Sequence, residues 1–364
     1  MSAVARRERI LAEAVGIADL PVAAVDAQLA PRLLCEASII DVGLDRRLYV
    51  GGLCFLPVRV HHSALRQLAE FSYLRVARKM PRLRTLRPAI RSWSGPSSFN
   101  CTLPAETAVD PGLHAAVFDG GLPNLPSMTR WVTAHDATGV GVAINDYLHH
   151  GAAVTSALLF GSLRRGKQAR RPYSVVDHFR VLDADSGKDE DLYDVLHRIR
   201  TILLDNKYHF VNLSVGPEIL IEDDDIHGWT AVLDDLLSDG ETLATIAVGN
   251  GGERDAQLRY NRVQVPGDCV NALSVGAADT EGPGWRRASY SSVGTGRSPG
   301  LVKPDVLAFG GSQAALSGSS TRRRRRRRRI PPERALPHRW HCEWRWASAL
   351  ILATFSARSR FGPC

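Results

Sequence analysis

From about residue 113 onward, short and almost unbroken apolar runs alternate with longer amphipathic ones, and this alternation limits the fold more than any other feature of the chain. HAAVFD at 114–119, SVVDHFRVL at 174–182, HFVNLSVG at 209–216, TLATIAVG at 242–249 and VNALSVGA at 270–277 read as strands. Nearly continuous apolar character is the pattern of strands covered on both faces. Between them, DSGKDEDLYDVLHRIRTILLDN carries Leu192, Leu196, Ile199 and Leu203 as one stripe, behind Asp189, Glu190 and Asp191, which favour a helix N-terminus. A further helix over about 224–238 is expected from Ile226, Trp229, Val232, Leu233, Leu236 and Leu237. The repeated strand, helix, strand order predicts an α/β fold with a mainly parallel sheet and helices on both faces. In such sheets ligands and chemistry gather at the carboxyl ends of the strands.

The residues before 113 follow a different pattern. RLYVGGLCFLPVRV at 47–60 is strand-like, HSALRQLAEFSYLRVARKM puts Leu65, Leu68 and Phe71 at helical spacing, and MPRLRTLRP has no clear period. Residues 1–95 are therefore expected to form a small mixed module. A Pro, Ser and Asn-rich passage makes 96–112 a linker, 113–321 is the main domain and 322–364 an atypical tail.

Charge separates the tail from the rest. The net charge of +8 over 364 residues is not spread evenly. Residues 322–364 hold 13 arginines against Glu333 and Glu343, a net +11, which leaves −3 for the preceding 321 residues. Any footprint for a polyanion is thus confined to the tail. Six dispersed cysteines form no CxxC pair or zinc cluster, which fits a reduced, cytoplasmic protein while leaving disulfides open. The N-terminus makes a poor signal peptide, and no apolar run reaches the length of a membrane span.

Four polar residues stand at strand exits or at a helix start. Asp119 ends HAAVFD and precedes two glycines; an acid there can orient a histidine, or can simply end a strand. His150 opens HGAAVTSALLFG, whose Val154 and Leu158 mark a buried helical face, so it is expected in the first turn of a rigid helix, with His149 as its competitor. Asn212 in NLSVG and Asn250 in AVGNGG end apolar strands, where an amide can donate to charge developing on a carbonyl oxygen. Asn250 is equally placed to be a turn residue before Gly251 and Gly252.

Taken in order, AVFDGG, HGAAVTSALLFG, VNLSVG, AVGNGG and the later LVKPDVLAFGG resemble the subtilisin-like serine peptidases, the S8 family. Asp119 matches the family's acid in its Asp-x-Gly motif, and His150 its base in His-Gly-x-x-Val, with Ala152 and Ala153 replacing the usual Thr and His. Asn250 matches the oxyanion asparagine, and Lys303, Pro304 and Asp305 the segment leading toward the nucleophile. The resemblance implies a three-layer domain that hydrolyses peptide bonds through an acyl-enzyme, with a polypeptide substrate lying along Asn212, Leu213, Ser214, Val215 and Gly216. It implies no cofactor, and no loop has the acid spacing of a calcium site; DADSGKDED at 183–191 reads as a loop and helix start.

The nucleophile is where the pattern fails. The family places serine in Gly-Thr-Ser-x-Ala-x-Pro at the head of a buried helix. Gly318, Ser319 and Ser320 approximate its first three positions and make Ser320 the candidate, but Arg322 stands for Ala and Arg324 for Pro, within eight consecutive arginines. Burying unpaired guanidinium groups costs several kcal/mol each, roughly, so this run cannot be a central packed helix. The expectation is a serine endopeptidase domain whose C-terminal part is missing, truncated or frame-shifted near 321, and which is inactive or impaired. The alternative is a non-catalytic protein that binds nucleic acid or acidic surfaces through the arginine tail.

Overall fold

The computed structural model describes residues 9–17, 39–42, 46–61, 66, 69–70, 74–84 and 101–310, less 162, 164, 165, 187–190, 281, 298 and 299. Ser320 and the arginine run lie outside the described residues, as do Leu65, Leu68 and Phe71 of the expected N-terminal helix.

The N-terminal module contains an antiparallel sheet of β1 (Arg9–Ile17), β2 (Ile39–Val42), β3 (Leu48–Val50), β4 (Leu53–His61) and β5 (Leu74–Lys79). Its order is β2-β4-β1-β5, with β3 also on β4. The strand-like run at 47–60 is a hairpin rather than one strand: Gly51 and Gly52 take φ of 56° and 75°, the left-handed pair that a two-residue turn between twisted strands requires.

The main domain is built on seven strands: β6 (His114–Asp119), β7 (Val132–Asp136), β8 (Val175–Arg180), β9 (Phe210–Leu213), β10 (Leu243–Ala247), β11 (Leu273–Ala278) and β12 (Val306–Phe309). Their order is β12-β11-β10-β9-β6-β8-β7, and every pairing is parallel. Among the described residues, three helices pack on this sheet: α1 (Asn145–Phe160), α2 (Asp191–Asp205) and α3 (Gly228–Leu236).

Alternation along each strand divides the apolar residues between two cores. On one face Ala116, Phe118, Val211, Leu213, Ala244 and Ile246 join Leu192, Leu196 and Ile199 of α2 and Trp229, Val232 and Leu233 of α3. On the other, Ala115, Val117, Phe210 and Val275 meet Val154, Ala157 and Leu158 of α1. The stripes read from the sequence are the faces that are buried. Three layers result, with the sheet in the middle.

The N-terminal sheet packs on the α2 and α3 side. Leu48, Phe55 and Met80 are buried in the same core as Leu192, Tyr193 and Trp229. Each such fully buried side chain contributes about 1.5–3 kcal/mol of transfer free energy. Arg46 to Asp194 at 2.9 Å, Arg75 to Asp225 at 2.5 Å and Arg78 to Glu222 at 2.9 Å ring this contact.

Residues 101–112, read from composition as part of a linker, lie instead on the main domain. Cys101 and Ala108 are buried in the α1-side core, and the Val109 and Asp110 amides donate to the carbonyls of Pro172 and Tyr173. A polar composition concealed this because the segment is held through its backbone. Cys54, Cys101 and Cys269 are buried thiols, not disulfides.

Candidate active site

Strands β6, β9 and β10 are adjacent and parallel, so their carboxyl ends share one edge of the sheet. Asp119 is the last residue of β6 and is fully buried. One of its oxygens accepts from the Gly120 amide at 2.6 Å, and both face His150, whose Nδ1 lies 2.8 Å from Oδ1 and 3.0 Å from Oδ2. A carboxylate bound at Nδ1 fixes the imidazole's orientation and leaves Nε2 as the basic nitrogen.

His150 is not in the first turn of its helix. Helix α1 begins at Asn145, five residues earlier, so His150 sits in the second turn with a complete helical frame before it. The sequence concealed this start because residues 145–149 lack the apolar stripe that begins at Val154. Two close approaches bring the helix onto the strand end. A Cβ on Gly120 would overlap Tyr147, and one on Gly151 would overlap the Gly121 carbonyl and meet the His178 ring at 2.8 Å. Larger residues at either position would hold His150 away from Asp119.

Beneath the pair lies a second histidine that sequence reasoning passed over. His178 on β8 is fully buried and its Nδ1 is 2.7 Å from the Thr155 hydroxyl of α1. Burial pushes its pKa down to about 4, against the attraction of Asp119 and with repulsion from His150 and His135 adding to the shift. It is therefore neutral near pH 7, adding no positive charge beneath His150. It had no clear signal in the sequence, because Asp177 and Arg180 on the same short strand are also polar.

Asn250 is exposed, three residues beyond the end of β10. The turn carrying it is fastened on both sides: the Val248 amide donates to the Val275 carbonyl, the Gly251 amide to Ser292 Oγ and the Gly252 amide to the Tyr290 carbonyl. Gly249 takes φ of 95°, and a side chain there would strike Gln264. A fixed backbone with an exposed amide is the form an oxyanion donor takes.

The residues expected along a substrate divide into two groups. Asn212 and Leu213 are buried within β9, and the Asn212 amide is engaged, donating to Thr245 Oγ1 at 3.2 Å while its oxygen accepts from Ser214 Oγ at 3.1 Å. Asn212 therefore braces the strand end. Beyond it Val215, Gly216 and Pro217 are buried, and the Gly216 carbonyl accepts from the Arg84 amide at 2.8 Å.

Among the described residues no cluster of three or more His, Cys, Asp or Glu side chains is arranged to hold a metal. Asp183, in the acid-rich loop, is occupied by the Gly141 and Asp185 amides, Ser186 and Arg198. Among the described residues no helix is long and apolar enough to cross a membrane.

Residues 103–330 match the sequence model of the subtilase family, peptidase S8. The chain belongs to the subtilase family. No curated protein matches the chain in sequence. Among solved structures, this subtilase is similar to a mutant of the protease domain of PatA, with TM-score 0.38, 19% identity, and 53% of this chain and 66% of that one covered. It is also similar to the prenylagaramide maturation protease PagA, with TM-score 0.37, 23% identity and coverage of 51% and 60%. The patellamide maturation protease PatG gives TM-score 0.33, 15% identity and coverage of 52% and 63%. The chain thus spans less than two thirds of each of these structures.

Proposed function

We propose that this subtilase has the framework of a serine-type endopeptidase, with His150 as general base, Asp119 as the acid that orients and supports it, and Asn250 as oxyanion donor. The observation that carries the reading is the 2.8 Å contact of His150 Nδ1 with Asp119 at the carboxyl edge of a parallel sheet. In the full reaction a serine hydroxyl attacks the peptide carbonyl as His150 takes its proton, and His150 returns that proton to the leaving amine. Ser320 is the residue placed for that attack by sequence, but Arg322 and Arg324 follow it where a buried helix is needed. We therefore read the chain as impaired in hydrolysis while keeping a peptide-binding cleft along Ser214, Val215 and Gly216. Buried thiols at Cys54, Cys101 and Cys269 fit a reducing compartment, the cytoplasm.

A fluorescent casein substrate tests the reading. The chain and its His150→Ala variant are expected to give the same background, and turnover that disappears in His150→Ala would contradict the impairment.

A second reading concerns the tail, whose net charge of +11 suits phosphate-rich partners. It predicts salt-sensitive association with RNA that is lost when residues 322–364 are deleted; binding that survives the deletion would exclude it.

A further inference from the structure

Of the chain's asparagines only Asn250 is followed by glycine. Asparagine is a thermolabile side chain, and it is most so in this pairing. The backbone nitrogen of the second residue attacks the side-chain carbonyl carbon of the first, and glycine has no Cβ to obstruct the approach. The nitrogen loses its proton, a C–N bond forms and ammonia leaves, closing a succinimide ring. Water then opens the ring at either carbonyl, giving aspartate or isoaspartate. The balance is water taken up and ammonia released, with no oxidant or cofactor.

One side of this peptide is set up for the reaction. Asn250 is exposed, and among the described residues nothing bonds its side chain. The other side opposes it. The attacking nitrogen is that of Gly251, which is buried and donates its hydrogen to Ser292 Oγ at 3.0 Å. Ser292 is fully buried and is itself fastened, its amide donating to the Gly249 carbonyl at 3.1 Å. Beyond the peptide, the Gly251 carbonyl accepts from the Arg254 amide at 2.8 Å and the Gly252 amide donates to the Tyr290 carbonyl at 2.8 Å. Ring closure requires the Gly251 nitrogen to shed its proton and turn toward the Asn250 side chain. Each of these changes breaks the bond to Ser292 in a place that water does not reach.

We infer that Asn250–Gly251 is an intramolecular modification site held closed by Ser292, whose hydroxyl keeps the Gly251 amide from the asparagine side chain. The product reverses the polarity of the exposed group, because an amide that donates becomes a carboxylate that only accepts. This consequence rests on the reading of Asn250 as oxyanion donor: the modified chain would carry negative charge where negative charge must be stabilised. The gating by Ser292 stands apart from that reading, since it concerns only the rate of ring closure.

The test incubates the full chain at mildly alkaline pH and measures aspartate and isoaspartate at position 250 by peptide mapping. The chain unfolded in urea is expected to convert about tenfold or more faster than the folded chain. Ser292→Ala, under conditions where its circular dichroism matches that of the unsubstituted chain, is expected to convert about fivefold or more faster than the unsubstituted chain. Gly251→Ala should slow conversion in urea, identifying the Gly251 nitrogen as the attacking atom. Equal rates in the folded and unfolded chains would overturn the inference, as would a folded Ser292→Ala that converts no faster than its parent. If Ser292→Ala does not fold, deuterium exchange at the Gly251 amide of the unsubstituted chain decides: slow exchange supports the closed state, and exchange as fast as in urea overturns it. None of these rates depends on turnover, so loss of the peptidase reading would leave them unchanged.

Discussion

His150 Nδ1 sits 2.8 Å from Oδ1 of the fully buried Asp119, one on a helix and the other at the end of the strand beneath it. Neither residue could reach the other if helix α1 stood at ordinary distance from the sheet. The contact depends on glycine at 120 and 151, where backbone atoms approach closely enough to exclude a side chain.

Replacing Gly151 with alanine is therefore expected to lift α1 from the Gly121 carbonyl. Overpacking of this kind costs about 1–3 kcal/mol. Urea denaturation should show a loss of that size, and a crystal structure of the variant should show the His150 to Asp119 contact lengthened. A variant as stable as the parent, with the contact unchanged, would contradict the close-approach argument.

The N-terminal sheet is held mainly by apolar burial. Phe55 is fully enclosed in the core shared with Trp229. Phe55→Ala should cost about 3–5 kcal/mol, read by chemical denaturation of the whole chain. A cost below about 1 kcal/mol would mean that the module and the main domain do not share a core.

His178 should leave a mark on acid stability. Its pKa is about 4 in the folded chain, below the ordinary 6.5, so the unfolded chain binds one more proton between those values. Its contribution is complete above about pH 6.5 and falls as the pH drops toward 4, with a slope of roughly 1.4 kcal/mol per pH unit. Asp119, His150 and His135 are the titratable groups acting on it. Denaturation of the chain and of His178→Gln at about pH 7 and about pH 5 should show the shallower slope in the variant. Equal slopes would contradict a neutral His178 in the fold.

The central strands were legible because burial on both faces keeps them predominantly apolar. β6, β9, β10 and β11 each appear as an apolar run, and the stripes of α2 and α3 identify the sides they bury. The positions of Asp119 at the end of β6 and of Asn250 just past β10 were legible from the apolar runs that precede them. Strand β7 was missed because it is the sheet's edge and its VTAHD side chains are mostly exposed, so no apolar run marks it. The start of α1 was missed because residues 145–149 are at most partly buried and carry no apolar stripe like the one that begins at Val154. Segment 82–84 was missed for a third reason: its neighbours are bound through backbone amides and carbonyls, which every sequence possesses.

His150 and Asp119 are in contact in a chain whose candidate serine is followed in sequence by arginines rather than by the family's Ala-x-Pro. Labelling the folded chain with a fluorophosphonate, followed by peptide mapping and run beside His150→Ala, tests this most directly. The account predicts no label on Ser320 in either protein. Label on Ser320 that disappears in His150→Ala would show a working nucleophile and contradict it.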